Sequence, residues 1–214
     1  MNFSFYKFIN FNVALVQNLS NTSDKNTEKL SVQEVIGTIL EENRCLLRSL
    51  SDEAAEDLIQ RIDSGGSIFC FAQGRSGFIL RCFCMRLMHL GYQVYFCGET
   101  ITPAIVRDDL LIVLSGSGET PATLAAVRSA KEHHAVTYGI LGNLDSAIAA
   151  LVDMSIHLPG TTKLCRDHEP DSSQMAGSLF EQAAFLFLEA LVLNLYQKND
   201  KDVGPLSPRH AVIE

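Results

Sequence analysis

One alternation constrains this chain more than any other feature: short apolar runs, each closed by a turn of small residues, are followed by stretches with helical spacing. Ser67–Ala72 is the first such run; Gly74-Arg75-Ser76-Gly77 closes it, and a helical pattern from Phe78 to Leu90 ends at Gly91. Gln93–Phe96 and Leu110–Leu114 read as strands, the second running into Ser115-Gly116-Ser117-Gly118-Glu119-Thr120 and a helix over Pro121–His133. Val136–Leu141 is a further strand, Ala147–Leu151 a short helix, Met154–Leu158 a strand, and the loop Pro159–Met175 leads to a last helix from Ser178 to Gln197. Strands that are apolar throughout are buried on both faces, and strands joined by helices run parallel. The expected fold is therefore α/β: a three-layer, doubly wound parallel sheet in a single domain. Two helices precede it, over Ser31–Leu50 and from Ser51 to the stop at Gly65-Gly66.

The length of 214 residues suits one domain with a sizeable core. Residues 30–197 carry the alternation. Residues 1–29, with the polar stretch Ser20–Lys29, read as an N-terminal appendage and a candidate for disorder, and 198–214 as a C-terminal tail. The formal net charge of -8 argues against nucleic acid or an anionic membrane as a partner, because both are bound through a surplus of Lys and Arg. No charge-free apolar stretch long enough for a membrane span is evident, and residues 1–20 make a poor signal peptide. The six cysteines form no CxxC pair and sit mostly in apolar runs, which points to reduced thiols and a cytoplasmic setting. Cys82 and Cys84, two apart on a helix, point to different sides and are not expected to share a metal.

The last helix differs in kind. Leu179, Phe180, Ala183, Ala184, Phe185, Leu186, Phe187, Leu188, Leu191, Val192, Leu193 and Leu195 leave almost no polar face, with Glu181, Gln182, Glu189 and Asn194 as exceptions. A helix apolar all round is buried on all sides, so a homo-oligomer is expected.

The Ser115–Thr120 loop joins a buried strand to a helix with Pro121 at its first position and Thr120 as its N-cap. Glycines at 116 and 118 let successive N–H groups converge, hydroxyls at Ser115, Ser117 and Thr120 add donors, and the helix terminus adds positive potential. These are the parts that bind a phosphate monoester. A Gly/Ser turn with a capped helix also exists without a ligand, but so many small and hydroxyl residues directly after a buried strand favour the anion. The loop lacks the Lys of a P-loop and the three glycines of a dinucleotide fingerprint.

Several segments together resemble one family. Gly74-Arg75-Ser76-Gly77, Met85-Arg86-Leu87-Met88-His89-Leu90-Gly91, Gly98-Glu99-Thr100 before Pro103, Ser115-Gly116-Ser117-Gly118-Glu119-Thr120, and Gly177-Ser178-Leu179-Phe180-Glu181-Gln182 are similar to the 6-phospho-3-hexuloisomerases, of the SIS (sugar isomerase) class. Arg209-His210-Ala211 resembles the tail of that family. The chain departs from its pattern at Gly142-Asn143-Leu144, at Gln174-Met175-Ala176-Gly177, and in ending Val212-Ile213-Glu214. The resemblance implies a flavodoxin-like SIS fold, assembly as a homotetramer, and a reaction without cofactor or metal. That reaction interconverts 3-hexulose 6-phosphate and fructose 6-phosphate through an enediolate, within the ribulose monophosphate pathway of formaldehyde assimilation or detoxification. The alternatives are an SIS isomerase of arabinose 5-phosphate or sedoheptulose 7-phosphate, and a non-catalytic sugar-phosphate sensor.

Within that expectation Glu181 is the base candidate, although Ser178-x-x-Glu181 also has the spacing of a capping box. His89 lies on the stripe Phe78, Cys82, Met85, His89; it either meets carbonyls at its helix end or, as the resemblance implies, reaches a neighbouring subunit's site. His210 is a second, weaker candidate of that kind, and His133-His134 reads as an exposed helix end. Arg75 and Ser76 are expected to contact sugar or phosphate, with Ser115, Gly116, Ser117, Gly118, Glu119 and Thr120 completing the substrate site. Glu119 and Glu99 orient either sugar hydroxyls or nearby backbone.

Overall fold

The computed structural model describes residues 30–160 and 171–198. The appendage over 1–29, the tail beyond Lys198 with His210, and Cys165 lie outside the described residues. The chain divides into two units between Thr38 and Ile39, inside helix α1 (Val32–Leu47). The described part of the first unit is the start of α1, closed by a capping box in which Ser31 N–H donates to Glu34 Oε2 at 2.7 Å and Glu34 N–H to Ser31 Oγ at 3.3 Å.

The second unit holds the remainder of α1, four further helices and the whole sheet. The helices are α2 (Asp52–Ile62), α3 (Gly74–Leu90), α4 (Pro121–Glu132) and α5 (Ser178–Lys198); the strands are β1 (Ile68–Phe71), β2 (Val94–Phe96), β3 (Leu110–Ser115), β4 (Val136–Leu141) and β5 (Met154–His157). Every pairing is parallel and the order is β2-β1-β3-β4-β5. The chain therefore winds outward from β1 in one direction and from β3 in the other, which leaves a switch point where those two strands end.

Both faces of the sheet are covered, as the apolar runs require. Leu110, Ile112 and Leu114 of β3 join a core with Leu58 and Ile62 of α2, Leu80, Phe83 and Leu87 of α3, and Phe180, Phe187 and Leu191 of α5. The alternate residues Leu111 and Val113 meet Val127 and Ala130 of α4 and Ile148 on the other face. Local signals set the helix ends. Ser51 Oγ accepts from Ala54 N–H at 3.4 Å, and Gly91 closes α3 in the left-handed region at φ 98°.

Several expected elements differ from those observed. Helix α3 begins at Gly74, so Gly74-Arg75-Ser76-Gly77 is its first turn rather than a loop. Gln73 is extended and acts as the N-cap residue, its carbonyl accepting from Gly77 N–H at 3.4 Å. Ala147–Leu151 forms consecutive turns instead of a helix. Helix α1 ends at Leu47, since Ser49 N–H turns back to Leu46 O and Leu50 N–H to Leu47 O.

Helix α5 is long and apolar enough to cross a membrane by length and composition, which the sequence was not expected to offer. Here Leu179, Ala183, Phe187, Leu191 and Leu195 are buried in the core against the sheet. Its opposite side is uncovered: Phe185, Leu186 and Leu193 are exposed, the last at 56%.

Candidate functional site

The site is built where β1 and β3 end. Strand β1 delivers Arg75 and Ser76 on the first turn of α3, and β3 delivers the Ser115–Thr120 loop. Helix α5 brings a third component, because Phe180 packs its ring on that loop: a Cβ at Gly116 would lie 3.2 Å from Phe180 Cδ1. The next residue is Glu181. Its carboxylate is 16% exposed and lies 2.6 Å from Arg75 Nε, an ion pair that joins the end of β1 to the start of α5. Ser178 is the first residue of α5 rather than its cap; its N–H donates to Met175 O at 2.9 Å, and Glu181 N–H to Gly177 O at 3.1 Å. The Ser-x-x-Glu spacing thus reflects a helix already under way.

The Ser115–Thr120 loop is pre-shaped from inside. Ser115 is 4% exposed and its Oγ accepts from Gly118 N–H at 3.1 Å, with Thr120 Oγ1 at 3.4 Å. Gly118 takes φ 69°, and a Cβ there would come within 2.0 Å of Ser146 Oγ, so no larger residue fits this turn. Thr120 occupies the N-cap position of α4 without a side-chain capping bond, which leaves its half-buried hydroxyl at the mouth of the loop. Ser117 is half-buried as well, its Oγ accepting from Glu119 N–H at 3.2 Å. Two hydroxyls at a helix N-terminus, Ser117 and Thr120, are suited to a phosphate.

Other expected residues are engaged elsewhere. Glu119 Oε1 accepts from Ala147 N–H at 3.0 Å, tying the loop to the turn after β4, so its carboxylate serves backbone. Glu99 pairs with Arg81, whose guanidinium stacks 3.8 Å from the centre of the Phe96 ring. His89 is not brought to this constellation within the protomer. It is 3% exposed and sits at the far end of α3, about 21 Å along the axis from Arg75 at the usual rise per residue. Of the stripe Phe78, Cys82, Met85 and His89, the first three are exposed and His89 alone turns inward.

The structure adds a supporting wall that sequence reasoning missed. Asn143, 4% exposed, donates from Nδ2 to Asp145 O at 2.8 Å and lies 3.5 Å from Ser117 O, while Ser146 Oγ donates to Asn143 O at 2.8 Å. Gly142 N–H donates to Ser115 O at 3.1 Å, and His157 Nε2 lies 3.2 Å from Gly142 O. The available signal was position: Gly142-Asn143 directly follows β4, at the same sheet edge as the Ser115 loop. Among the described residues no cluster of three or more His, Cys, Asp or Glu could hold a metal ion.

The family model of the SIS domain matches residues 62–164. The 3-hexulose-6-phosphate isomerase of Bacillus subtilis is 35% identical over 185 residues, covering 86% of this chain and 100% of that protein. The enzyme of the same name from Mycobacterium gastri is 37% identical, covering 85% of this chain and 94% of its own. A crystal structure of a hypothetical protein from Methanococcus jannaschii, from which a molecular function of 3-hexulose-6-phosphate isomerase was inferred, superposes with a TM-score of 0.69 at 32% identity. That match covers 85% of this chain and 99% of the other.

Proposed function

The chain belongs to the 3-hexulose-6-phosphate isomerases, a family of SIS-domain proteins, and we propose that it interconverts 3-hexulose 6-phosphate and fructose 6-phosphate with Glu181 as the base. The observation that carries the site assignment is the meeting of a recessed carboxylate, a guanidinium and an anion-binding loop at the switch point. Ser117, Thr120 and the loop N–H groups other than those of Gly118 and Glu119 hold the phosphate, and Ser115 holds the loop. Glu181 takes the C2 proton of the 3-ketose, and the electron pair moves to the C3 oxygen to give the 2,3-enediolate. Arg75 offers its remaining N–H groups to that developing charge, and Ser76 beside it offers a hydroxyl to the sugar. The C2 hydroxyl proton then passes to the C3 oxygen, and Glu181 returns the abstracted proton to C3 as the ketone forms at C2. This reaction would give the protein a part in the ribulose monophosphate pathway, and a cytoplasmic location is proposed with it, in keeping with the free thiols Cys45, Cys70, Cys82, Cys84 and Cys97.

The test is turnover by the purified full chain of 3-hexulose 6-phosphate to fructose 6-phosphate, with arabinose 5-phosphate and sedoheptulose 7-phosphate as comparison substrates. Turnover of a comparison substrate without the hexulose would make it another SIS isomerase. Binding without turnover of any would make it a sensor.

The assembly is proposed to be a homo-oligomer, with the homotetramer of the sequence reading as its form. Phe78 and Met85 on α3 and Phe185 and Leu193 on α5 are exposed, and the two helices are linked by Arg86 and Glu189 at 3.8 Å. An apolar surface of this kind is normally covered by a partner. Light scattering at micromolar concentration should give a multiple of the chain mass, and a monomer mass would sink the reading. The expected reach of His89 into a neighbouring subunit's site stands against its burial within one protomer, where it is 3% exposed, and subunit mixing decides between them. Mixing inactive Glu181→Gln subunits with inactive His89→Ala subunits should then restore activity, and no recovery despite proven subunit exchange would exclude it.

A further inference from the structure

Glu42 lies on α1, outside the constellation just described, and yet its carboxylate accepts four hydrogen bonds from one short segment. Oε1 accepts from Ser173 N–H at 2.9 Å and from Ser173 Oγ at 2.7 Å; Oε2 accepts from Ser172 Oγ at 2.7 Å and from Gln174 Nε2 at 2.9 Å. The segment also locks on itself, since Gln174 N–H donates to Ser172 Oγ at 3.1 Å. Burial of Glu42 opposes its ionisation, but the hydrogen bonds from Ser172, Gln174 and Ser173 outweigh that effect and hold the carboxyl below its ordinary range.

We propose that Glu42 is a positioning residue for the isomerisation: it gathers Ser172–Gln174 and so fixes the first turn of α5, on which Glu181 stands. The proposal rests on the reading of Glu181 as the base. The mechanical path is short. Met175 O accepts from Ser178 N–H and Gly177 O from Glu181 N–H, so the backbone that Glu42 anchors is continuous with the turn that aims the carboxylate. A second tether from the same helix runs in parallel. Asn43, 3% exposed, donates to Gln182 Oε1 at 2.7 Å, on the residue next to Glu181. Four hydrogen bonds onto one ionised group, two of them from serine hydroxyls, are more than helix packing requires, and charge-assisted bonds are the stronger kind. Their target is a non-helical stretch that lacks a ladder of its own.

The experiment compares the full chain with Glu42→Ala, Glu42→Gln, the double variant Ser172→Ala/Ser173→Ala, the triple combination, and Glu181→Gln. Misplacing a reacting group by about an ångström costs on the order of 100-fold, so Glu42→Ala should lower kcat by about 10- to 100-fold with KM near wild type. Glu42→Gln, which keeps the acceptor oxygen and loses the charge, should fall between it and the wild type. The serine double variant leaves α1 intact and should reproduce much of the kcat loss. In the Glu42→Ala background it should add little, because the two changes break the same bonds. Hydrogen exchange at the amides of Ser173, Gln174 and Ser178 should accelerate in Glu42→Ala. A structural role alone would lower Tm and leave kcat unchanged in the folded enzyme. Full additivity, or unchanged exchange at those amides, overturns the positioning role while Glu181→Gln remains inactive. Wild-type kcat in Glu181→Gln instead overturns the base assignment and, with it, the claim that Glu42 acts on catalysis.

Discussion

Glu181→Gln should lower kcat by about 10²–10⁴-fold with little change in KM, the range that positioned general-base catalysis contributes. The substitution preserves shape and one hydrogen-bond acceptor and removes only the ability to take a proton. In the structure the carboxylate is recessed, paired with Arg75 at 2.6 Å, and carried on the residue after Phe180, whose ring rests on the Ser115–Thr120 loop. A purely structural glutamate predicts a different outcome. Gln would serve an N-terminal turn nearly as well as Glu, and activity would survive. Ser178 lies inside α5, so the capping role that the spacing suggested lacks its partner at the cap position. Solvent deuterium gives an independent measurement: an enediolate route exchanges label into the sugar carbon that is reprotonated, whereas a direct hydride shift does not. A Gln variant with near-wild-type kcat would end the assignment of Glu181 as the base.

The second large effect concerns the loop after β3. Each donor to a charged phosphate oxygen is worth about 1.5–3 kcal/mol, or about 10- to 150-fold in kcat/KM. Ser117→Ala and Thr120→Ala remove donors at the mouth of the loop, and together they should cost on the order of 10²–10⁴-fold. Ser115→Ala acts differently, because its hydroxyl is buried and accepts from Gly118 N–H. Its loss should loosen the loop and raise KM for the sugar phosphate without removing a direct contact. The triple variant combines both, and its parts should not add, since Ser115 and Thr120 share a 3.4 Å contact. If the triple variant folds and keeps wild-type kcat/KM, the loop is a turn and the phosphate binds elsewhere.

Most of the fold was legible because its signals are local. The fully apolar run over Leu110–Leu114, the alternation of strands with helices, Ser51 before its acidic turn and Gly91 after Leu90 all appear as expected. The misread elements are those where competing local signals had to be settled by their surroundings. Gly74 and Gly77 looked like breakers, yet a helix can start at once when an extended residue such as Gln73 supplies its first acceptor. Ala147–Leu151 has the composition of a helix but is held in turns, and Glu119 accepts from its first N–H.

The candidate site divides along the same line. Sequence alone marked the Ser115–Thr120 loop, because glycines, hydroxyls and a strand-to-helix junction are neighbours in the chain, whereas Glu181 came forward as a base only through the family resemblance. What Arg75 and Glu181 are to each other, that Glu119 serves backbone, that His89 faces inward, and that Glu42 reaches the segment before α5 were decided only in three dimensions. These are pairings between residues far apart in sequence, set by which strand lies beside which and by how the helices roll on the sheet. Local patterns record which conformation a stretch prefers; they carry no term for the distant group that its side chains will meet once the core has closed.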